Sequence, residues 1–221
     1  MKVGLMKLLA TLGASLTTVD PTLGPATLLR EAPISFMENK VKKSVAEFER
    51  ALEMDPSVRE RLWQYGISLY ADSRFVDCAA QFEFDYKKNP DDTEEVVWAK
   101  LCSRRAGVDE GSARQAMPRK RQDPRPVMRI VEAAYRDGDT SQLENIIEKY
   151  EEGSKSRVLA QRSVQEEADY FYSLLYLGLY EESNGAMPTS NSNLKKAASS
   201  LYGQKATRDY MTSVAKVLLL R

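Results

Sequence analysis

Side chains that commonly perform catalysis or bind metal ions are scarce in this sequence. Histidine is absent, which excludes an imidazole base and any metal site with a histidine ligand. The two cysteines, Cys78 and Cys102, are too few for a disulfide framework or a zinc site. Both fall within helical patterns, so we interpret them as small buried apolar side chains.

Carboxylates are numerous, but their spacing does not suit acid–base catalysis. Glu166 and Glu167 are adjacent, as are Glu181 and Glu182, and adjacent helical residues point about 100° apart. We therefore assign these pairs to solvated helix faces. The sequence contains no phosphate-binding loop, nucleophile elbow or dinucleotide fingerprint. It predicts neither an enzyme nor a bound cofactor or metal.

One dense cluster of basic residues stands out, and three interpretations of it remain open. It comprises Arg119, Lys120, Arg121, Arg125 and Arg129. It fits a nucleic-acid or nuclear-import patch, a contact with an acidic partner or with the acidic segment 91–95, or a solvated loop. Residues 122–129 contain no aromatic side chain to stack on bases, which counts against nucleic-acid binding. That function is therefore the alternative and not the main prediction.

The composition is that of an ordinary globular protein. Hydrophobic residues make up 43% of the 221 residues, enough for a sizeable core. Lys plus Arg and Asp plus Glu both number 32, so no strong global attraction to nucleic acid or acidic membranes is expected. The most apolar stretch, residues 3–19, is interrupted by Lys7, so we expect no membrane span.

An internal repeat indicates the elements that would position any functional side chain. Ala46-Glu47-Phe48-Glu49 recurs as Ala80-Gln81-Phe82-Glu83, and Asp55-Pro56 recurs as Asn89-Pro90. Both offsets are 34 residues, the period of tetratricopeptide repeats, in which pairs of helices stack side by side. The sequence therefore predicts an all-α fold: a tetratricopeptide-like array of helix hairpins with degenerate repeats.

Within the best repeat, large and small residues alternate as a packed helix hairpin requires. Leu62, Tyr65 and Leu69 are large, whereas Gly66 is small and would let the second helix approach closely. Phe82 would fill the space between the two helices, and Pro90 would end the unit.

Composition also suggests the boundaries along the chain. We predict a flexible leader or targeting remnant at 1–29, tetratricopeptide-like hairpins at 30–112, a basic proline-rich connection at 113–126 and a degenerate helical region at 127–221. Residues 187–193 are rich in Ser, Asn and Pro and are predicted to form a flexible loop.

These residues resemble the tetratricopeptide-repeat superfamily across Val41 to Leu101. Several stretches are also similar to uncharacterised repeat proteins of plants and algae, many of them plastid-directed, and more distantly to bacterial tetratricopeptide lipoproteins that act as adaptors. The stretches include Leu62-Trp63-Gln64-Tyr65-Gly66, Asn89-Pro90-Asp91-Asp92-Thr93 and Asp123-Pro124-Arg125-Pro126-Val127-Met128-Arg129. The resemblance implies protein binding and, on its own, suggests a plastid; the sequence leaves the compartment open between the cytoplasm and the chloroplast.

The superfamily resemblance also indicates where a partner would bind. If Leu62 and Gly66 face the partner helix, then Trp63, Ile67 and Tyr70 project towards the concave groove of the array, and Arg59 and Glu60 lie at its rim. The alternative is that Trp63 and Tyr70 pack between repeats. Large aromatic side chains are frequent at binding hot spots.

The sequence thus predicts a protein-binding scaffold or adaptor whose partner is a protein or peptide. Self-association is a further expectation, because an incomplete array leaves apolar end faces uncovered. The alternative is a nucleic-acid-associated helical-repeat factor that uses the basic residues 119–129.

Overall fold

The computed structural model describes residues 19–108, 122–155 and 162–221, and these residues form helices without any strand. The all-α prediction is therefore confirmed for the described part of the chain. The first half contains α1 (Pro25–Met37), α2 (Val41–Met54), a 3₁₀ helix (Pro56–Arg61), α3 (Trp63–Ala71), α4 (Phe75–Lys88) and α5 (Thr93–Arg105). The second half contains α6 (Pro126–Asp137), α7 (Ser141–Lys155), α8 (Val164–Ser183), α9 (Met187–Ser199), α10 (Leu201–Lys205) and α11 (Tyr210–Leu218).

The turns between helices repeat with the same 34-residue interval as the sequence. Asn39 and Ser73 have φ 61°, and Gly107 has φ 83°, so each occupies the left-handed region. In each turn this residue's N–H donates to the carbonyl three residues earlier, and the next N–H donates to the carbonyl five residues earlier. This is a common way of ending a helix, and it reverses the chain so that α1 packs on α2 and α3 on α4.

Close packing inside the second hairpin explains the small residue on α3. A Cβ atom added at Gly66 would lie 2.5 Å from Cε2 of Phe82 on α4. The Phe82 ring is itself stacked on Trp98 of α5, with 5.9 Å between the centroids. The prediction that Gly66 permits a close helix approach is confirmed by this geometry.

The two cysteines face each other across α4 and α5. Cys78 and Cys102 are both fully buried, as predicted, and their Cα atoms lie 5.6 Å apart. They are joined as a disulfide in the structure, a pairing that the sequence analysis missed. Their separation of 24 residues carries no sign of proximity until α4 and α5 are known to pack side by side.

Three predicted boundaries differ from the structure. Helix α1 begins at Pro25, five residues inside the predicted leader, because proline suits the first helical turn and Leu28 is fully buried. Residues 187–193 are not a loop but the start of α9, with Pro188 again in the first turn. The connection predicted at 113–126 falls mostly outside the described residues, and α6 begins at Pro126.

The end of the chain returns to its beginning. Helix α11 packs on α1, α3 and α9. The Tyr210 ring of α11 stacks on Phe36 of α1 and meets Trp63 of α3 edge-on, each with 5.3 Å between centroids. The long helix α8 also packs on α5. Parts of the C-terminal region therefore lie against the first helices of the hairpins, where an open array would have its concave face.

Candidate binding site: an acidic, aromatic cavity

A cavity of about 720 Å³ lies where α3 and α5 meet α8 and the segment leading into α11. Its volume is within the range of roughly 300–1,000 Å³ that is typical of ligand sites. Thr207 and Arg208, both exposed, stand on its rim. We call it the central cavity.

Aromatic rings form much of the wall of the central cavity. They come from five helices: Trp63 on α3, Phe82 on α4, Trp98 on α5, Tyr172 on α8 and Tyr210 on α11. Trp98 is 1% exposed, and its indole Nε1 is buried without a hydrogen-bond partner in the described part of the chain. Such a wall can cover an apolar stem and can attract a cation through the ring faces.

Carboxyl groups form a second part of the wall, and three of the four have fixed partners. Asp92 caps α5 by accepting from the Glu94 N–H at 2.8 Å. Glu94 accepts from Arg125 at 2.9 Å and from the Tyr176 hydroxyl at 2.8 Å. Asp209 accepts from the Tyr172 and Tyr202 hydroxyls and from the Met211 N–H, at 2.8, 2.9 and 3.0 Å.

The fourth carboxyl group, that of Glu95, belongs to a partly exposed side chain, but its Oε2 atom is buried. No described hydrogen-bond donor reaches its Oε2 atom, and no described cation pairs with it. Burial, with smaller contributions from Asp92 and Asp85, raises the pKa of Glu95 to about 8. The neighbouring Asp85 is 4% exposed, and burial raises its pKa to about 6.

Of the residues predicted to project into a groove, Trp63 lines the central cavity and is partly exposed, whereas Ile67 lies behind the cavity wall with its side chain fully buried in the core. Tyr70 does not line it. Its side chain is fully buried between the rings of Phe75 and Trp98, which it meets edge-on at 5.4 and 5.3 Å. The position of Tyr70 is that of the packing alternative, because the C-terminal region covers this part of α3 in the closed molecule.

The two residues predicted at the rim lie elsewhere. Arg59 donates to the Gln81 side chain at 3.2 Å and stacks over the Phe84 ring, so it rests against α4. Glu60 accepts from Lys88, at the end of α4. Neither residue lines the central cavity. The cause is local: residues 56–61 form a 3₁₀ helix that Asp55 caps, rather than the first turn of α3.

The basic cluster is described only in part. Arg125 pairs with Glu94 at 2.9 Å, a contact with the acidic segment 91–95 that was one of the alternatives. Arg125 also pairs with Asp123 at 2.9 Å, and Arg129 donates to the Asp123 carbonyl at 3.0 Å. Arg119, Lys120 and Arg121 lie outside the described residues.

The residues that the sequence analysis missed share one cause. Glu95 was noted only as part of the acidic segment 91–95, and Tyr172 was not singled out. Asp209 and Tyr210 were noted only in the stretch Asp209-Tyr210-Met211, for its similarity to the repeat proteins of plants and algae. Each becomes a wall residue because α8 and α11 pack across α3 and α5, a contact between chain segments more than 70 residues apart. The one sequence feature that pointed to this site was the acidic first turn of α5, the helix that also carries Trp98.

The comparisons with known proteins found no matching protein-family model and no matching curated protein sequence. Among the described helices, none has a sufficiently long apolar stretch to cross a membrane.

Proposed function

We propose that this chain is a protein-binding scaffold or adaptor of the tetratricopeptide type, which receives a segment of its partner in the central cavity. The observation that carries the proposal is an accessible cavity with the partly exposed Trp63 in its wall, a side chain that the resemblance to tetratricopeptide repeats assigns to binding. Aromatic side chains in a concave site are the usual anchors of protein recognition.

The repeated turns at Asn39, Ser73 and Gly107 support the hairpin-array part of the proposal. In an open array, a partner would lie along the whole concave face. Here, α11 packs on α1 and α3, so the proposed contact is confined to the central cavity. A short extended segment suits a site of this size better than a long helix does.

Affinity capture from the native source tests this function. Trp63→Ala removes one wall, whereas Thr207→Trp fills the rim of the cavity without removing any buried packing. Val76→Ala is the matched control, because Val76 is 71% exposed on α4 and lies outside the cavity. We expect at least one partner to be lost with both cavity variants and kept with the control. An unchanged set of captured proteins, with all variants folded by circular dichroism, would refute the proposal.

No described contact favours the nucleic-acid alternative. Arg125 and Arg129, the two described members of the basic cluster, are engaged with Glu94 and Asp123 within the chain. Phosphate binding would require these side chains to exchange their carboxylate and carbonyl partners for the nucleic acid.

A further inference from the structure

We infer that the central cavity binds the basic side chain of a lysine or arginine in a partner peptide, with Glu95 as the counter-ion. This inference deepens the proposed function and depends on it. The geometry assigns three features to the ligand: a positive charge, an apolar stem and a hydrogen-bond acceptor close to that charge.

The positive charge follows from the balance of groups in the wall. Four carboxyl groups line the central cavity, whereas Arg208, which is exposed at the rim, is the one basic side chain among its described lining residues. Asp92, Glu94 and Asp209 already have donors, but Glu95 has none in the described part of the chain. A carboxyl oxygen that is buried without a partner is unfavourable, and a cation that enters beside Glu95 would relieve that cost.

An organic cation fits this wall better than a metal ion does. Among the described residues, no three acidic or cysteine side chains converge closely enough to hold a metal. The wall instead contains aromatic rings, which a hydrated metal ion would contact only poorly; they belong to Trp63, Trp98, Tyr172 and Tyr210. Alkyl stems of lysine and arginine pack on such rings, and their charged groups are attracted to the ring faces.

The unpartnered indole N–H of Trp98 indicates that the ligand carries a hydrogen-bond acceptor. This Nε1–H donor is buried and has no partner in the described structure, and it sits three residues after Glu95 on the same helix. Residues three apart lie on the same face of a helix, and both Glu95 and Trp98 line the central cavity. A peptide residue carries both complements, a side-chain cation and a backbone carbonyl, whereas a free alkylamine carries only the cation.

Binding is expected to be coupled to proton release from Glu95. The groups around it are Asp85 on α4, Asp92 and Glu94 on α5, and Arg208 and Asp209 before α11; Tyr172 and Tyr210 stay protonated because burial raises the pKa of both. With a pKa of about 8, Glu95 is mostly neutral at pH 6.5 and mostly ionised at pH 8.5. Lysine and arginine keep their charge over this range, so affinity should rise about sixfold if neutral Glu95 binds them about tenfold more weakly than the ionised form.

The test uses the intrinsic fluorescence of the protein, because both of its tryptophans, Trp63 and Trp98, line the central cavity. The probes are N-acetylated pentapeptide amides with the central residue Lys, Arg, norleucine or Glu between glycines, and n-butylammonium as the free amine. We expect millimolar or tighter binding of the Lys or Arg peptide. The norleucine and Glu peptides should bind at least about tenfold more weakly, since they lose the charge-assisted contact. Butylammonium, which has no carbonyl for Trp98, should also bind more weakly.

Two isosteric variants separate the charge from the shape of the site. Glu95→Gln should weaken the Lys and Arg peptides about tenfold and abolish the rise in affinity with pH. Glu83→Gln should change neither, because Glu83 is exposed on α4 and does not line the cavity.

The outcomes distinguish this inference from the proposed function. Absence of binding by both basic peptides, or equal binding by norleucine or by the Glu95→Gln variant, overturns the inference. If Trp63→Ala still loses its captured partner, the protein-binding function survives that result. Butylammonium binding as tightly as the Lys peptide would assign the site to a free amine and overturn the peptide ligand.

Discussion

Two acidic side chains on neighbouring helices hold protons at pH values where ordinary carboxyl groups are ionised. Burial is the main cause for both, and it raises the pKa of Asp85 to about 6 and that of Glu95 to about 8. Asp85 has one hydrogen bond as partial compensation, from Gln81 at 2.9 Å. Glu95 has no such donor in the described structure, and Asp92 and Asp85 repel its charged form.

Glu95→Gln should therefore stabilise the protein in a pH-dependent way. Below pH 4.5, Glu95 is protonated in both the folded and the unfolded chain, so the variant and the parent should be equally stable. Between pH 4.5 and 8, Glu95 ionises in the unfolded chain but stays mostly protonated in the folded chain. Ionisation therefore favours the unfolded parent, and the parent loses stability relative to the variant. After allowance for solvent screening at this partly exposed site, we expect a gain of about 1–2 kcal/mol at pH 8.5.

Urea unfolding at pH 4 and pH 8.5 measures this gain as a change in the free energy of unfolding. Glu83→Gln makes the same change of charge on an exposed part of α4 and should show no difference at either pH. Equal stability of Glu95→Gln and the parent at pH 8.5 would mean that Glu95 has a partner or ready access to water.

The sequence identified part of the site, and the part it missed has a physical cause. Trp63 could be placed because the resemblance to tetratricopeptide repeats implies which face of α3 it occupies, whereas Ile67 on the same face is fully buried. The covering of Tyr70 could not be foreseen, because it depends on distant segments such as Arg221, whose guanidinium lies 5.3 Å from the Tyr70 ring centroid. Glu95 and Trp98 were both visible in the sequence, but their lack of partners is a property of the packed molecule.

The turns between helices show how the repeat is preserved at the level of single elements. The left-handed position is Asn at 39, Ser at 73 and Gly at 107, although the backbone is almost the same in all three. Gly adopts this conformation freely, Asn tolerates it, and other residues with a Cβ pay a steric penalty. The sequences of the turns vary, whereas their hydrogen-bond pattern does not.

Ser73→Gly should stabilise the protein by about 0.5–1 kcal/mol, because it relieves the steric penalty at the end of α3. Asn39→Gly is the matched comparison and should gain less, since Asn is already the best tolerated residue after Gly. Thermal unfolding of the two variants beside the parent measures both effects. Destabilisation by Ser73→Gly would mean that residue 73 does not adopt a positive φ.

The packing of α3 on α4 makes a prediction with two opposing terms. Gly66→Ala gains up to about 1 kcal/mol of helix propensity. The added Cβ, however, would meet Phe82, whose ring cannot swing away because Trp98 lies stacked behind it. Overpacking of this kind costs about 1–3 kcal/mol, so we expect a net loss of about 1 kcal/mol.

A double variant distinguishes overpacking at Gly66 from a general loss of stability. Leu at position 82 lacks the ring carbons that a Cβ at position 66 would meet. The effect of Gly66→Ala should therefore be smaller in a Phe82→Leu background than in the parent. Additive effects in urea unfolding, or stabilisation by Gly66→Ala alone, would contradict the close approach of α3 and α4.

At the scale of the whole molecule, the local hairpins could be predicted and their closure could not. A repeat at a fixed interval predicts contacts between helices that follow each other in the sequence, such as α3 and α4. The contacts of α11 with α1 and α3 join residues with no repeating relation, so no period in the sequence marks them. Tyr210 and Met211 of α11 also line the central cavity, and Arg221 beyond α11 lies over the Tyr70 ring, so the least predictable part of the fold forms part of the candidate site.

A buried ion pair between Arg221 and Glu182 helps to hold the C-terminal end of the chain against α3 and α8, and its contribution can be tested separately. Glu182 on α8 has a side chain that is 2% exposed, and Arg221 pairs with it at 2.6 Å while Arg105 of α5 lies at 3.5 Å. Arg221 also donates to the Tyr70 carbonyl at 3.4 Å. One side chain near the C-terminus thus contacts both α3 and α8, and its removal would leave the buried Glu182 carboxylate with Arg105, at 3.5 Å, as its remaining ion-pair partner in the described part of the chain.

Arg221→Gln should lower the free energy of unfolding by about 1–3 kcal/mol, because the buried charge of Glu182 loses its closer partner. Lys216→Gln removes the same charge from an exposed position on α11 and should have little effect. Hydrogen exchange followed by mass spectrometry should show faster exchange in α11 for Arg221→Gln only, since α11 would be less firmly held against α3.

In an Arg221→Gln/Glu182→Gln double variant, the loss of stability should be smaller than the sum of the losses in the two single variants, as a direct pair requires. Equal exchange in both single variants would show that packing of Tyr210 on Phe36 and Trp63, and not the ion pair, holds the molecule closed.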